Sequence, residues 1–215
     1  MRVILFSLSC IIILSCKQEQ LMLDAVWENP NYESKSFRKI AVFAIAKEQK
    51  NKKDFEKDAV KYFKSKKVIA IPGYKIFDSD SVADMNATEV KKRLYAQGFD
   101  GVLTAKTVKH ISQDDNDTSD EELERHSKDL YRFGEYFVSR YDHVQSDVQG
   151  NYAVLEANFY YLIDYNDFDG SSLAWISHYK LDPETAEKNT FVEIDKYAHV
   201  VVQGLFDDQV ILPRQ

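Results

Sequence analysis

The chain has 215 residues, of which 44% are hydrophobic and 13% aromatic, with 13 Tyr and 13 Phe. Its formal charge of -7 gives it no general attraction for nucleic acid or anionic surfaces. Both cysteines, Cys10 and Cys16, lie near the N-terminus, so the rest of the chain has no thiol chemistry, no disulfide and no cysteine metal site.

Val3 to Leu14 is apolar apart from Ser7 and Ser9, follows the positive charge of Arg2, and stops at polar Lys17 to Gln20. That length fits the apolar part of a secretory signal and falls short of the roughly 20 residues of a membrane-spanning helix. Ile13-Leu14-Ser15-Cys16 resembles the lipobox of bacterial lipoprotein precursors, with an aliphatic residue three before the cysteine and a small one just before it. Leu14 is larger than usual, and Cys10 has too little apolar sequence before it to compete. The resemblance implies cleavage before Cys16, a diacylglycerol thioether on its sulfur and an acyl chain on its new amine. Two or three such chains anchor a protein far better than the marginal hold of one. An ordinary secretory signal, releasing a soluble protein, is the alternative. The division expected is a signal at 1–15, a lipidated tether at 16–36 and a single α/β domain at 37–215 with an insertion at about 109–150. Without Arg2 the balance is 27 basic against 35 acidic side chains, or -8.

The tether is polar with scattered apolar residues; Pro30 interrupts it, and Trp27 is expected to pack on the domain edge. Lys39–Ala46 is a short, nearly continuous apolar run, which predicts a buried central strand. A helix is predicted over Lys52–Lys66, capped by Asn51, with Phe55, Ala59, Tyr62 and Phe63 on one face. Lys67–Ile71 reads as a strand stopped by Pro72-Gly73, and Tyr74–Ala83 as a loop. Asn86 and Glu89 have capping-box spacing for a helix ending at Gly98, with Val90 and Leu94 as its stripe. Val102–Val108 is the third strand, and this β-α-β-α-β order predicts a sheet with helices packed on it.

Lys109–Asp120 reads as an acidic linker. Over Glu121–Val144 the helical spacing of Leu130, Phe133, Phe137, Tyr141 and Val144 predicts a helix, with an extended aromatic excursion as the alternative. Asn151–Tyr165 alternates as a strand, with Ala153, Leu155, Ala157, Phe159, Tyr161 and Ile163 on one face and Glu156, Asn158 and Asp164 on the other. A turn at Asn166–Gly170 leads into an antiparallel return over Ser172–Leu181, with Leu173, Trp175, Tyr179 and Leu181 on one face. Thr190 and Glu193 cap a last amphipathic helix carrying Ile194, Ala198, Val201 and Leu205, and Val210–Leu212 adds a short edge strand. The fold class expected is α/β (α+β): a mixed sheet flanked by helices, with an antiparallel hairpin and a C-terminal amphipathic helix.

No nucleophile elbow, phosphate loop or dinucleotide fingerprint occurs. His110, His126, His143, His178 and His199 are scattered and read as surface or half-buried residues. Asp114 to Glu122 resembles a calcium loop but carries Asp120 where glycine is required and His126 where glutamate is required. In the acidic turn Asp164, Asn166, Asp167, Asp169, Phe168 takes a ligand position. No cofactor and no metal are therefore expected. The run Tyr131, Phe133, Tyr136, Phe137, Tyr141 is core packing on the plain reading and a partner surface on the sharper one.

Val26-Trp27, Lys39-Ile40-Ala41-Val42, Phe55-Glu56, Gly98-Phe99-Asp100-Gly101-Val102-Leu103 and Leu173-Ala174-Trp175 together resemble a family of envelope lipoproteins common in Bacteroidetes. The likeness covers most of Trp27 to Leu205. It implies an α/β domain similar to those of curli-secretion lipoproteins and the N-terminal domain of TolB, which are interaction modules without active sites. The function expected is a non-enzymatic binding or assembly module in the cell envelope. Its partners would be the bilayer, through acylated Cys16, and an envelope protein, without nucleic acid. The lack of Asp after Cys16 agrees with outer-membrane sorting. The alternatives are a hydrolase with two carboxylates about 5 to 9 Å apart, or an accessory for lipid or small-molecule transport with an apolar pocket.

Overall fold

The computed structural model describes residues 23–46, 48–77, 85–110, 127–128, 132–133, 137, 152–162, 172–181 and 194–214. The elements are β1 (Leu23–Glu28), β2 (Ile40–Ile45), α1 (Gln49–Ser65), β3 (Ala70–Pro72), α2 (Ala87–Ala96), β4 (Gly101–His110), β5 (Tyr152–Tyr161), β6 (Leu173–Lys180) and α3 (Ile194–Asp207). They form one six-stranded mixed sheet in the order β1-β6-β5-β4-β2-β3. The half built from β3, β2 and β4 is parallel, as two crossover helices require; β4, β5, β6 and β1 are antiparallel. This is the α/β mixed sheet expected from the sequence, with the C-terminal amphipathic helix in place.

Side chains alternate across the sheet and fill a core on each face. Ile40, Val42, Ala44, Leu103, Leu155, Ala157 and Phe159 pack under α1 and α3, against Phe55, Phe63, Tyr197 and Val201. Ala41, Phe43, Ile45, Val102, Tyr160 and Ile176 face the other way, against Val90 and Leu94 of α2 and against Phe133 and Phe137. Both faces are therefore covered, which explains why β2 reads as an unbroken apolar run rather than an alternating one.

The folded domain begins earlier than expected. Leu23–Glu28 is not a linker but the edge strand β1, paired along β6 from Leu23 opposite Tyr179 to Glu28 opposite Trp175. It satisfies backbone groups that β6 would otherwise present as an open edge. The chain behind it stays packed: Tyr32 donates to the Val210 carbonyl at 2.9 Å, and Phe37 is buried in the core. The folded domain therefore includes residues 23–36. Trp27 packs at the domain edge, as anticipated.

The pairing of β5 with β6 shifts between Phe159 and Tyr160, so that Phe159 faces Trp175 and Tyr160 faces Leu173 with Ala174 as the extra residue. This bulge puts Leu173 in the core on the α2 side, whereas Trp175 and Tyr179 pack under α3. It corrects the single face assigned to Leu173, Trp175, Tyr179 and Leu181. Asn29, at the end of β1, holds the bulge: its Nδ2 donates to the Leu173 carbonyl at 2.8 Å and its backbone N–H to Ala174 at 2.9 Å.

Helix α1 starts two residues before Asn51, so Asn51 lies buried inside it rather than capping it. Lys35 and Ile211 form an isolated parallel bridge in place of a strand at 210–212. Within 121–144, residues 127, 128, 133 and 137 are helical, and the remainder of that predicted helix lies outside the described residues, as do the turn at 166–170 and the Thr190–Glu193 cap.

The Asn86 cap forms as the spacing predicts, its side chain accepting from the Glu89 N–H at 2.9 Å, and Gly98 ends α2 at φ 79°. Asn86→Ala should lower stability by about 1 kcal/mol, while Asn86→Asp should keep most of it, because the aspartate still accepts the same bond. Thermal unfolding followed by circular dichroism decides this; equal losses for both would place the effect elsewhere.

Candidate functional site

Three adjacent antiparallel strands carry a polar row across the middle of the sheet. Lys106 on β4 stands opposite Glu156 on β5, and Glu156 opposite His178 on β6. Thr104 and Asn158 form the next row on the same face, because residues two apart in a strand share a side. All five are buried, with Glu156 and His178 each only 2% exposed.

His178 Nε2 lies 3.3 Å from Glu156 Oε2. With the carboxylate as acceptor, that nitrogen carries the proton. Asn158 Nδ2 donates to Glu156 Oε1 at 3.0 Å, so both carboxylate oxygens are engaged. Among the described residues Asn158 Oδ1 has no hydrogen-bond partner. A Glu–His pair can act as an oriented base elsewhere, but here neither group is open to a solute. The arrangement ties β5 to β6 through a buried, hydrogen-bonded carboxylate rather than presenting a reactive surface.

A second buried carboxylate sits in the parallel half of the sheet. Glu56 on α1 reaches across to the end of β2 and to the turn after β3. Its Oε1 accepts from the Ala44 N–H at 3.0 Å and its Oε2 from the Tyr74 N–H at 2.9 Å. Burial pushes its pKa up to about 7, while these backbone donors, the Lys52 charge and the Gly73 N–H pull it down. Gly73 is needed for this approach: a Cβ there would stand 2.3 Å from Phe43 Cδ1 and 3.0 Å from Glu56 Oε1. Near the other edge, burial raises the Tyr179 phenol to about 12, and its hydroxyl donates to the Val200 carbonyl at 3.3 Å.

The site residues expected from the sequence fall into two groups. Phe133 and Phe137 are buried core side chains, not surface. Phe137 lies 4.8 Å from the Phe43 ring, Phe133 lies 5.3 Å from the Tyr160 ring, and the Phe133 N–H donates to Ser172 Oγ at 3.3 Å. For these two, core packing replaces the partner-surface reading. Cys16, Tyr131, Tyr136 and Tyr141 lie outside the described residues, as do Asp114 to Glu122 and Asp164 to Asp169. Among the described residues no three His, Cys, Asp or Glu side chains could hold a metal ion. His178 is fully buried rather than at the surface, and His199 stacks on Tyr62 with ring centroids 4.5 Å apart. The alternation of Asn151–Tyr165 places Glu156 and Asn158 on one face and carries no sign that this face is buried. The available signal was Lys106, the one charge in a third strand whose other residues are apolar or threonine.

No family model and no curated protein matches the chain. Two solved structures are similar over most of their length: the PelC dodecamer from Paraburkholderia phytofirmans and a point variant of it. They are 10% identical, with TM-scores of 0.39 and 0.41; the likeness covers 89% and 90% of this chain and 99% and 100% of theirs. A TM-score below 0.5 marks a loose likeness.

Proposed function

We propose that this chain is a lipid-anchored protein of the bacterial cell envelope, held at the outer membrane through acylated Cys16 and acting as a non-enzymatic binding and assembly module. The observation that carries the reading is the apolar run ending in Ile13-Leu14-Ser15-Cys16, set seven positions before the first strand of the domain. Among the described residues no helix is long and apolar enough to cross a membrane, and on this reading Cys16 makes the attachment. The buried carboxylates support binding over hydrolysis: Glu56 is spent on backbone N–H groups and Glu156 on His178 and Asn158. The resemblance to Bacteroidetes lipoproteins and to the curli-secretion and TolB domains belongs to the same proposal.

The test is the cellular fate of the native chain beside Cys16→Ala. The wild type should sediment with membranes, and mass spectrometry should find an acylated N-terminal cysteine. Cys16→Ala should lose the lipid and the processing that depends on it. Crosslinking before extraction should then yield a defined envelope partner from the wild type that is missing from the variant. A wild-type chain recovered soluble and without acyl groups would sink the reading.

A further inference from the structure

We infer that the bilayer faces one particular edge of the sheet, the edge at which β1 begins. The inference rests on acylation of Cys16 as proposed above. Seven Cα steps separate Cys16 from Leu23, the first residue of β1. Fully extended, they reach at most about 25 Å.

The pairing register identifies that edge. Leu23 stands opposite Tyr179 near the end of β6, and Lys180 opposite Val154 near the start of β5. Tyr152 stands opposite His110 at the end of β4, and Lys106 of β4 opposite Ile45 at the end of β2. The start of β1 therefore shares an edge with the ends of β2, β4 and β6, and α1 opens there at Gln49. Glu28, Ile40, Gly101 and Tyr161 mark the opposite edge. Through Tyr179 and Leu155, Leu23 stands level with Thr107, six residues from Gly101, which at about 3.3 Å per residue puts the opposite edge about 20 Å from the start of β1.

These lengths favour one orientation. To bring the far edge to the bilayer, the tether would have to run back about 20 Å along the sheet, a path that leaves its roughly 25 Å of reach almost taut and costs it nearly all its conformational freedom. The near edge needs no such path. Its chemistry suits the interface: Leu23 is 52% exposed, an apolar side chain at the point where the chain leaves for the membrane. Lys50, Lys53 and Lys180 are exposed on the same edge, with Glu48 and Gln49 beside them, and long lysine stems lie readily along a headgroup layer. The far edge, with the Arg38–Asp100 pair at 3.2 Å, then points away from the bilayer.

The protein suits a direct test, because Cys10 leaves with the signal and acylation blocks Cys16, so one introduced cysteine is the only free thiol. Lys50→Cys and Lys180→Cys place a fluorophore on the near edge; Gln97→Cys places one on the far edge, where Lys39 Nζ donates to the Gln97 carbonyl. The acylated proteins, purified from membranes, are reconstituted into phosphatidylethanolamine–phosphatidylglycerol vesicles carrying a short-range acceptor on the headgroups. Transfer should be several-fold stronger from positions 50 and 180 than from 97. Equal or reversed transfer from acylated, vesicle-bound protein would overturn the orientation and leave anchoring intact. A wild-type protein that is neither acylated nor vesicle-bound would overturn both.

Discussion

Glu156→Leu should lower the stability of the domain by about 3–5 kcal/mol, because it removes the acceptor that two buried donors share, at about 1–3 kcal/mol for each. The carboxylate accepts from Asn158 Nδ2 and lies 3.3 Å from His178 Nε2, and Lys106 is its neighbour on β4. Without it, a buried imidazole and a buried amide lose the acceptor between them, beside the buried Lys106 side chain. The loss comes from the groups left behind rather than from the net worth of the pair. A buried ion pair replaced as a whole by apolar side chains is often neutral or stabilising. The variant Glu156→Leu/His178→Leu/Lys106→Met should therefore recover to within about 1–2 kcal/mol of the wild type. Urea unfolding of the single, double and triple variants measures the coupling. If the single and triple variants lose equal amounts, the row is not a coupled unit and the cost is one of shape.

That row also shows where sequence reasoning stops. The elements whose signals are local were legible: the apolar Ile40–Ile45 strand, the Asn86 cap with Gly98 at the other end of α2, and the stripe of Ala198, Val201 and Leu205 on α3 all form as read. The errors come from pairing, which is not local. Glu156 and Asn158 lie on the face opposite Leu155, Ala157 and Phe159, as the alternation predicts, but alternation does not tell that this face is buried as well; β5 lies between β4 and β6 in a sheet covered on both faces. β1 looked like tether because a short strand broken off by Pro30 has no stability of its own; its place is set by the open edge of β6. The bulge at Ala174 puts Leu173 on the opposite side from Trp175, since one extra residue between them shifts the alternation by one. Glu56 was noticed only as part of a resemblance. Its backbone partners, Ala44 and Tyr74, are distant in sequence and no spacing announces them.

Glu56 supplies the second large effect, and its sign is set by the direction of its shift. In the folded chain burial holds the carboxyl near 7, against an ordinary 4.5. Below 4.5 both states are protonated and the contribution to stability is fully present. Between 4.5 and 7 the unfolded chain releases its proton while the folded chain keeps it, so stability falls as pH rises. Above 7 both are ionised and the dependence ends. The full span of the shift amounts to about 3 kcal/mol, the most this one group can contribute to the slope. The wild type should thus be more stable near pH 5 than near pH 7.5. Burial also raises Glu28 and Asp58, which adds to the same slope, so the informative comparison is with Glu56→Gln. That variant cannot titrate and should lose most of the difference between the two pH values. It turns an amide NH₂ toward one of the two N–H donors and should cost about 1–3 kcal/mol at pH 5. Glu56→Ala removes the acceptors of both Ala44 and Tyr74 and leaves a void beside Phe43, and should cost more than Glu56→Gln at every pH. Urea midpoints at pH 5 and 7.5 for the three proteins decide it. A Glu56→Gln variant that keeps the wild-type pH dependence would move the titration to other groups and leave Glu56 only its role as a clip between α1, β2 and the turn after β3.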